Sequence, residues 1–343
     1  MKAVVFSEHG SPNVLRYTEV PEPRIGTHEV LVRVRACAVN HRDLLVRQGA
    51  TGSSVSFPHI LGSDIAGEVA KVGEGVSNVR PGDPVLLAPG ISCGHCEECT
   101  AGRDNFCRDY TVFGSRLPGG YAEFVKAPAS NVLPMPANLT FEEAAAIPFV
   151  FMSAWHMLIT RAALRPAEQV LVIGAASGVG SAAIQIAKAA GARVIATAGS
   201  ESKFAKAKEL GADDVLLYAG GELAKDVRRL TKNRGVDVVF EHVGQATWEQ
   251  SILSLATGGR LVTCGATTGR EGKINITYLF FNHLSIIGSF MGSKSELYSV
   301  LELVERGLLK PVVDCVMPLE RAADAHARLE HRQQFGKIIL QVP

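Results

Sequence analysis

The chain has 343 residues, 47% hydrophobic and 20% charged, with a formal net charge of +1. That length supplies cores for about two domains, and the balance is that of an ordinary soluble globular protein. There is no basic excess or Lys/Arg-rich run, so no nucleic-acid partner is expected.

The opening segment, Met1 to Phe6, meets Ser7 and Glu8 too soon for a secretory signal and reads as a first strand. Short apolar runs broken by Gly and Pro follow: Val30–Arg35, Gly67–Gly73 and Pro84–Leu87. Such punctuation predicts β-rich structure. From about Thr140 the texture alternates. Helical patterns cover Phe141–Ala146 and Ala154–Ala163, then strand Val170–Ile173, helix Gly180–Ala190, strand Arg193–Thr197 and helix Lys203–Leu210. Strand Val215–Leu217, helix Leu223–Thr231, strand Val236–Phe240, helix Thr247–Leu255 and strand Gly259–Cys264 continue the series. A βαβ series implies a parallel, doubly wound sheet. The tail adds helical patterns at Lys294–Arg306 and Leu319–Arg328 and a strand at Lys337–Val342. The most apolar stretch, Ala144 to Ile159, is interrupted by Pro148, Ser153 and His156 and is too short to span a bilayer, so no membrane partner is expected.

Four cysteines, Cys93, Cys96, Cys99 and Cys107, crowd a polar, Gly-containing loop. Thiolates at i and i+3 on a turn can reach one ion, and four complete a closed tetrahedral Zn²⁺ site with no open position for chemistry. Free thiols and two disulfides are the alternatives, but a CxxCxxC run suits a metal better than crosslinks. Cys37, Cys264 and Cys315 lie far apart in apolar contexts. They read as buried thiols of a reducing compartment, which points to the cytoplasm.

The predicted strand Val170–Ile173 runs into Gly174-Ala175-Ala176-Ser177-Gly178-Val179-Gly180, and a helix follows at once. Small residues there let the backbone approach a pyrophosphate, and the helix N-terminus supplies N–H donors. The G-x-G-x-x-G pattern itself is not met, because Ala175 and Ser177 stand at earlier positions. The strand–loop–helix context still marks a dinucleotide site at Ala176 through Gly180.

The order of these parts resembles the zinc-type medium-chain dehydrogenase/reductase superfamily over nearly the whole chain. The resemblance is carried by Val39-Asn40-His41-Arg42-Asp43, by Leu61 through Val69, and by the cysteine loop. Gly119-Gly120-Tyr121-Ala122-Glu123, the loop ending at Gly180 and Gly258-Gly259-Arg260-Leu261-Val262 complete it. It implies an α/β protein: a β-rich GroES-like catalytic domain over 1–149 with 290–343, and a doubly wound Rossmann domain over 150–289. Alcohol-dehydrogenase members hold a catalytic zinc whose ligands would fall at Asn40, Ser63 and near Phe149, and none of the three is the family's ligand. Asp64 stands in the place of the family's Glu, and His41, His59 and Asp64 remain candidates for an unconventional second metal site.

The resemblance therefore narrows to the quinone-oxidoreductase-like branch with a structural-zinc loop added. It implies hydride transfer from NAD(P)H to a quinone or conjugated carbonyl, with hydrogen-bond donors meeting the developing oxyanion. Asn40 is the first donor candidate, and Ser63 and His41 follow; Asp43 either anchors the loop or touches substrate. Ser153, Val243 and Gly265 would lie at the cofactor. NADPH is favoured over NADH because Ala198 stands where NAD-specific folds carry an acid. Gly199, Ser200 and Lys203 follow it, and Tyr218 and Arg332 match further 2′-phosphate partners of NADPH-using members. Two other readings stay open: a zinc alcohol dehydrogenase, and a non-enzymatic NADPH-binding sensor. Phe149, Phe151, Phe280 and Phe281 are either pocket or core residues. The apolar segment Leu284 to Phe290 is expected as an edge strand whose two-fold pairing gives a homodimer or homotetramer.

Overall fold

A computed structural model describes residues 1–52, 55–218 and 222–343. The chain divides into two compact units: Met1–Phe149 with Ser293–Glu305 and Lys310–Pro343, and Val150–Gly292 with Arg306–Leu309.

The first unit is built on a seven-stranded sheet. Its order is Val132–Pro134, Pro84–Leu87, Asp64–Val72, Glu29–Ala38, Lys337–Gln341 and Val313–Pro318, with Phe124–Pro128 also pairing to Glu29–Ala38. Glu29–Ala38 is the long central strand, and Val30, Val32, Val34, Ala36 and Ala38 on it are fully buried. Its register decides the placement of the site. Ala38 pairs with Asp64 on one side and with Ile339 on the other, both antiparallel. One strand therefore ends where its two neighbours begin, which gathers residues 38–40, 63–64 and 337 at one end of the sheet. A smaller sheet of Arg16–Glu19, Lys2–Phe6 and His59–Ile60 adjoins the same core.

The second unit is an all-parallel six-stranded sheet. Its order is Asp214–Leu217, Arg193–Ala198, Gln169–Val172, Val236–Glu241, Leu255–Thr263 and Ser285–Gly288. The winding direction reverses between Gln169–Val172 and Val236–Glu241, the switch point at which open α/β sheets take ligands. The two strands there are almost wholly apolar and buried, as doubly covered parallel strands must be. Ser285–Gly288 is an edge, with Ile286 partly exposed.

Some expected elements change in detail. The pattern at Ala154–Ala163 becomes the end of helix Pro148–Trp155 and a π-helix over His156–Arg161. The Arg260 guanidinium bonds the Ala162 and Ala163 carbonyls where that helix ends. Of the three isolated cysteines only Cys37 is fully buried; Cys264 and Cys315 are half-buried. Cys264 follows the end of its strand and Cys315 sits on the outermost strand of its sheet, so neither has neighbours on every side.

Candidate active site

Asn40, Ser63, Asp64 and Lys337 form a buried polar cluster, each at most 5% exposed. Lys337 Nζ lies 2.5 Å from Asn40 Oδ1 and 2.8 Å from Asp64 Oδ2. Asn40 Nδ2 donates to Asp64 Oδ2 at 2.9 Å and to Ser63 Oγ at 3.3 Å. The Phe149 N–H closes the set by donating to Asp64 Oδ1 at 2.7 Å. A buried carboxylate and a buried ammonium are tolerable only when paired and fully hydrogen-bonded, and both conditions hold here.

Asp43 holds the two loops that carry these residues. Its Oδ2 accepts from the Asn40 N–H at 2.8 Å, and its Oδ1 accepts from the Gly62 N–H at 3.4 Å. Tyr121 Oη donates to Asp43 Oδ2 at 3.2 Å. Asp43 is 2% exposed, and burial pushes its carboxyl up to about 6 against the pull of the Asn40 N–H. It anchors the loops, one of its two sequence-based roles. Gly62 has to be glycine: its φ is +99°, and a Cβ there would meet the Tyr121 ring at 2.5 Å and Cys37 Sγ at 2.6 Å. His41 opens helix His41–Arg47 with its side chain exposed, apart from the buried cluster.

In the parallel-sheet unit, Ser177 caps helix Gly178–Ala189. Its Oγ accepts from the Gly180 N–H at 2.9 Å and donates to the Gly174 carbonyl at 2.8 Å. A Cβ on Gly180 would lie 2.2 Å from the Gly174 carbonyl oxygen, so this position tolerates no side chain. Gly174 is at φ +75°, with His242 directly against it. His242 Nε2 is 3.2 Å from Ser177 Oγ, and burial holds the imidazole below its ordinary value, hence neutral. Beside it, Glu241 is fully buried and accepts from the Val243 and Gly244 N–H groups and the Thr247 and Ser251 hydroxyls. That carboxylate fixes the turn carrying Val243.

The strand Arg193–Ala198 ends as expected, with Gly199 and Ser200 beyond it and Lys203 closing a 3-10 turn. The Tyr218 phenol lies over Gly199, 3.0 Å from where a Cβ would stand. Glu201 opens the same turn and is exposed. Ser153 is buried within Pro148–Trp155, and Gly265 follows the strand that ends at Thr263. Arg332 belongs to the other unit, at φ +54° just after a helix.

The four clustered thiols converge. Their sulfurs lie within 4.8 Å of one another, and Cys93 Sγ to Cys99 Sγ is 3.9 Å. Two thiolates at about 2.3 Å from one tetrahedral Zn²⁺ keep nearly this separation, so the donor set fits a closed structural zinc. The His95 and Cys96 N–H groups draw the Cys93 thiol down to about 6, while, against the pull of the Cys99 N–H, burial and the neighbouring sulfurs push Cys96 up to about 11, as crowded thiols that share one site titrate together. All seven cysteines are free. Among the described residues this is the one group of three or more His, Cys, Asp or Glu donors. His41, His59 and Asp64 are not brought together: His59 pairs with Phe6 in the small sheet and packs edge-on against its ring.

Two family profiles match the chain: an alcohol dehydrogenase GroES-like domain over residues 26–137, and a zinc-binding dehydrogenase over residues 178–306. The acryloyl-coenzyme A reductase of Metallosphaera sedula is 32% identical, covering 99% of both chains. The chain belongs to the zinc-type medium-chain dehydrogenase/reductase superfamily. The quinone oxidoreductase of Rattus norvegicus is also 32% identical, over 99% of this chain and 97% of its own. A solved NAD-dependent alcohol dehydrogenase superposes with a TM-score of 0.97 at 49% identity, covering both chains fully. The protein is accordingly an NAD(P)-dependent medium-chain oxidoreductase with a GroES-like unit and a Rossmann-type sheet.

Within that superfamily frame, sequence reasoning missed Lys337 and His242. Lys337 opens an apolar terminal strand and looks like a surface cation until the register places it beside Asn40. His242 carried a weak signal, a histidine next to Val243 at the end of a buried strand. Among the described residues, no helix is long and apolar enough to cross a membrane.

Proposed function

We propose that this protein reduces a quinone or a carbonyl-conjugated C=C with NADPH, without a catalytic zinc. The observation that carries this reading is the Lys337–Asp64–Asn40 cluster. Two positions matching the zinc ligands of alcohol dehydrogenases hold an amide and a hydroxyl bonded to each other, and a buried ammonium engages Asp64, the carboxylate bonded to that amide. An ammonium there repels a divalent cation, and neither an amide nor a hydroxyl is a good zinc donor.

Bound NADPH supplies the hydride, and the rest falls to the chain. The loop from Ala176 to Gly180 and the helix after it would hold the pyrophosphate, and Lys203 and Tyr218 would receive the 2′-phosphate. With hydride delivered to the electrophilic carbon, the π pair would shift onto the carbonyl oxygen, and that oxygen would accept a hydrogen bond from Ser63. For a conjugated alkene, a solvent proton then reaches the α-carbon; for a quinone it reaches oxygen. Asn40 does not serve as the direct donor in this scheme, because both of its N–H bonds are engaged within the cluster. The exposed His41 is left as a contact for the substrate's outer part.

The 49% identity to a solved NAD-dependent alcohol dehydrogenase supports a second reading, oxidation of an alcohol. The two are separated by a cofactor-turnover screen on metal-analysed protein. The reductase reading expects one zinc per chain and NADPH oxidation with quinones, enals or enones. Two zinc per chain, with turnover confined to alcohols and aldehydes, would establish the alternative. No cofactor turnover with any of these would favour a cofactor-binding sensor.

A further inference from the structure

We propose that Lys337 is a positioning residue for carbonyl activation: its ammonium acts through the Asn40 amide to orient and strengthen the Ser63 hydroxyl as donor to the substrate oxygen. This rests on the carbonyl-reduction reading above. Donor and acceptor chemistry sets the direction of every bond. An ammonium can only donate and an ionised carboxylate can only accept. Asn40 Oδ1 must therefore face Lys337 Nζ, at 2.5 Å, and Asn40 Nδ2 must face Asp64, at 2.9 Å. The second amide hydrogen reaches Ser63 Oγ at 3.3 Å. With Oγ accepting, the Ser63 hydrogen has no acceptor among the described residues. It is a donor held in a water-poor place without a partner.

The order of the bonds gives the cluster its effect. A cation on the amide oxygen draws electron density from the nitrogen and sharpens its N–H donors. A hydroxyl that accepts from such a donor becomes a better donor itself, and low local dielectric enlarges each step. Asp64 is the direct counter-charge: it accepts from Lys337, from Asn40 and from the Phe149 N–H, so the ammonium is paired where it is buried. Asn40 has no hydrogen left for a substrate. The influence of Lys337 on a bound carbonyl therefore passes through Ser63.

The test uses the zinc-loaded enzyme, with NADPH oxidation by 1,4-benzoquinone and by 2-cyclohexenone as readout. Ser63→Ala should lower kcat about a hundredfold, the cost of losing one oxyanion donor. Lys337→Met should lower kcat about tenfold and leave KM for NADPH unchanged, as expected of an indirect effect on the same donor. Ser63→Ala with Lys337→Met should be no worse than Ser63→Ala alone, because the two changes interrupt one chain of bonds. Since Lys337→Met strands the Asp64 charge and can unfold the site, Asp64→Asn with Lys337→Met is the companion variant. It should recover Tm but not kcat. Recovery of wild-type kcat in that neutral pair, or losses that simply multiply in the Ser63 background, would overturn the relay. A wild-type enzyme inactive on both carbonyls overturns the reductase reading and the relay with it, whereas an active wild type with insensitive variants overturns the relay alone.

Discussion

His326 Nε2 lies 3.1 Å from Tyr121 Oη, a contact between residues 205 positions apart. On the other side of the ring, Arg47 Nη1 stands 3.2 Å from Nδ1. A guanidinium can only donate, so Nδ1 accepts and Nε2 carries the hydrogen. The bonds then run one way: Arg47 to His326, His326 to Tyr121, Tyr121 to Asp43. Asp43 in turn receives the N–H groups of Asn40 and Gly62. A buried chain from Arg47 thus clamps the two loops that carry Asn40 and Ser63.

This chain sets opposing pH dependences. Burial, with Arg47 beside it, pushes His326 down to about 3, so between pH 3 and 6.5 the unfolded chain binds a proton that the folded one refuses. Stability from this residue is complete above about pH 6.5 and is lost as pH falls. Asp43 is pushed up to about 6, so between its unfolded value and 6 the folded state holds the extra proton. Its contribution is present at low pH and is lost as pH rises through 6. From pH 6.5 to 5 the two largely cancel. His326→Gln should remove one arm and make the protein gain about 1 kcal/mol on going from pH 7 to 5. Denaturant midpoints at the two pH values check this; a variant that still loses stability on acidification refutes the assignment.

The zinc lobe should carry one metal ion per chain. It also supports a helix, because Asp104 Oδ1 accepts from the Lys294 N–H at the start of Lys294–Glu305. Cys99→Ser should abolish tight zinc binding, lower Tm by several degrees and open the segment 93–107 to protease. Metal analysis with limited proteolysis reads both effects. A zinc content of zero in gently purified wild type would count against the site.

NADPH should be preferred over NADH. A charge-assisted bond to the 2′-phosphate is worth about 1.5–3 kcal/mol, so Lys203→Ala should cost roughly tenfold or more in kcat/KM for NADPH. The value for NADH should stay put. An alanine variant that keeps the wild-type cofactor ratio removes Lys203 from the 2′-phosphate site.

The edge strand Ser285–Gly288 should pair with its copy in a homodimer. Around it Ile276, Phe280, Phe281 and Phe290 are each at least half exposed, an apolar surface a lone chain would leave in water. Light scattering at micromolar concentration should give a dimer or a dimer of dimers. Phe281→Asp with Ile286→Asp should shift it to monomer. A monomeric wild type falsifies the pairing.

Local pattern determined much of this protein. Period, punctuation and spacing exposed the β-rich first third, the βαβ series, the Ser177–Gly180 helix start and the thiolate cluster, because each depends on residues within a few positions of one another. The strand end at Ala198 and the turn at Lys203 were legible for the same reason. The polar cluster was not. Asn40 reads as a free donor in its own segment, and only the antiparallel register of Glu29–Ala38 against Asp64–Val72 and Lys337–Gln341 shows its amide already spent. Lys337 reads as a surface charge at the start of a strand, yet it is 4% exposed and paired with Asp64. Asp43 was legible in part: its bond to the Asn40 N–H is local, but its partners Tyr121 and Gly62 come from other loops. Short-range periodicity encodes which faces are apolar, but which buried polar groups satisfy one another is decided by strand register, and register is a property of the folded sheet.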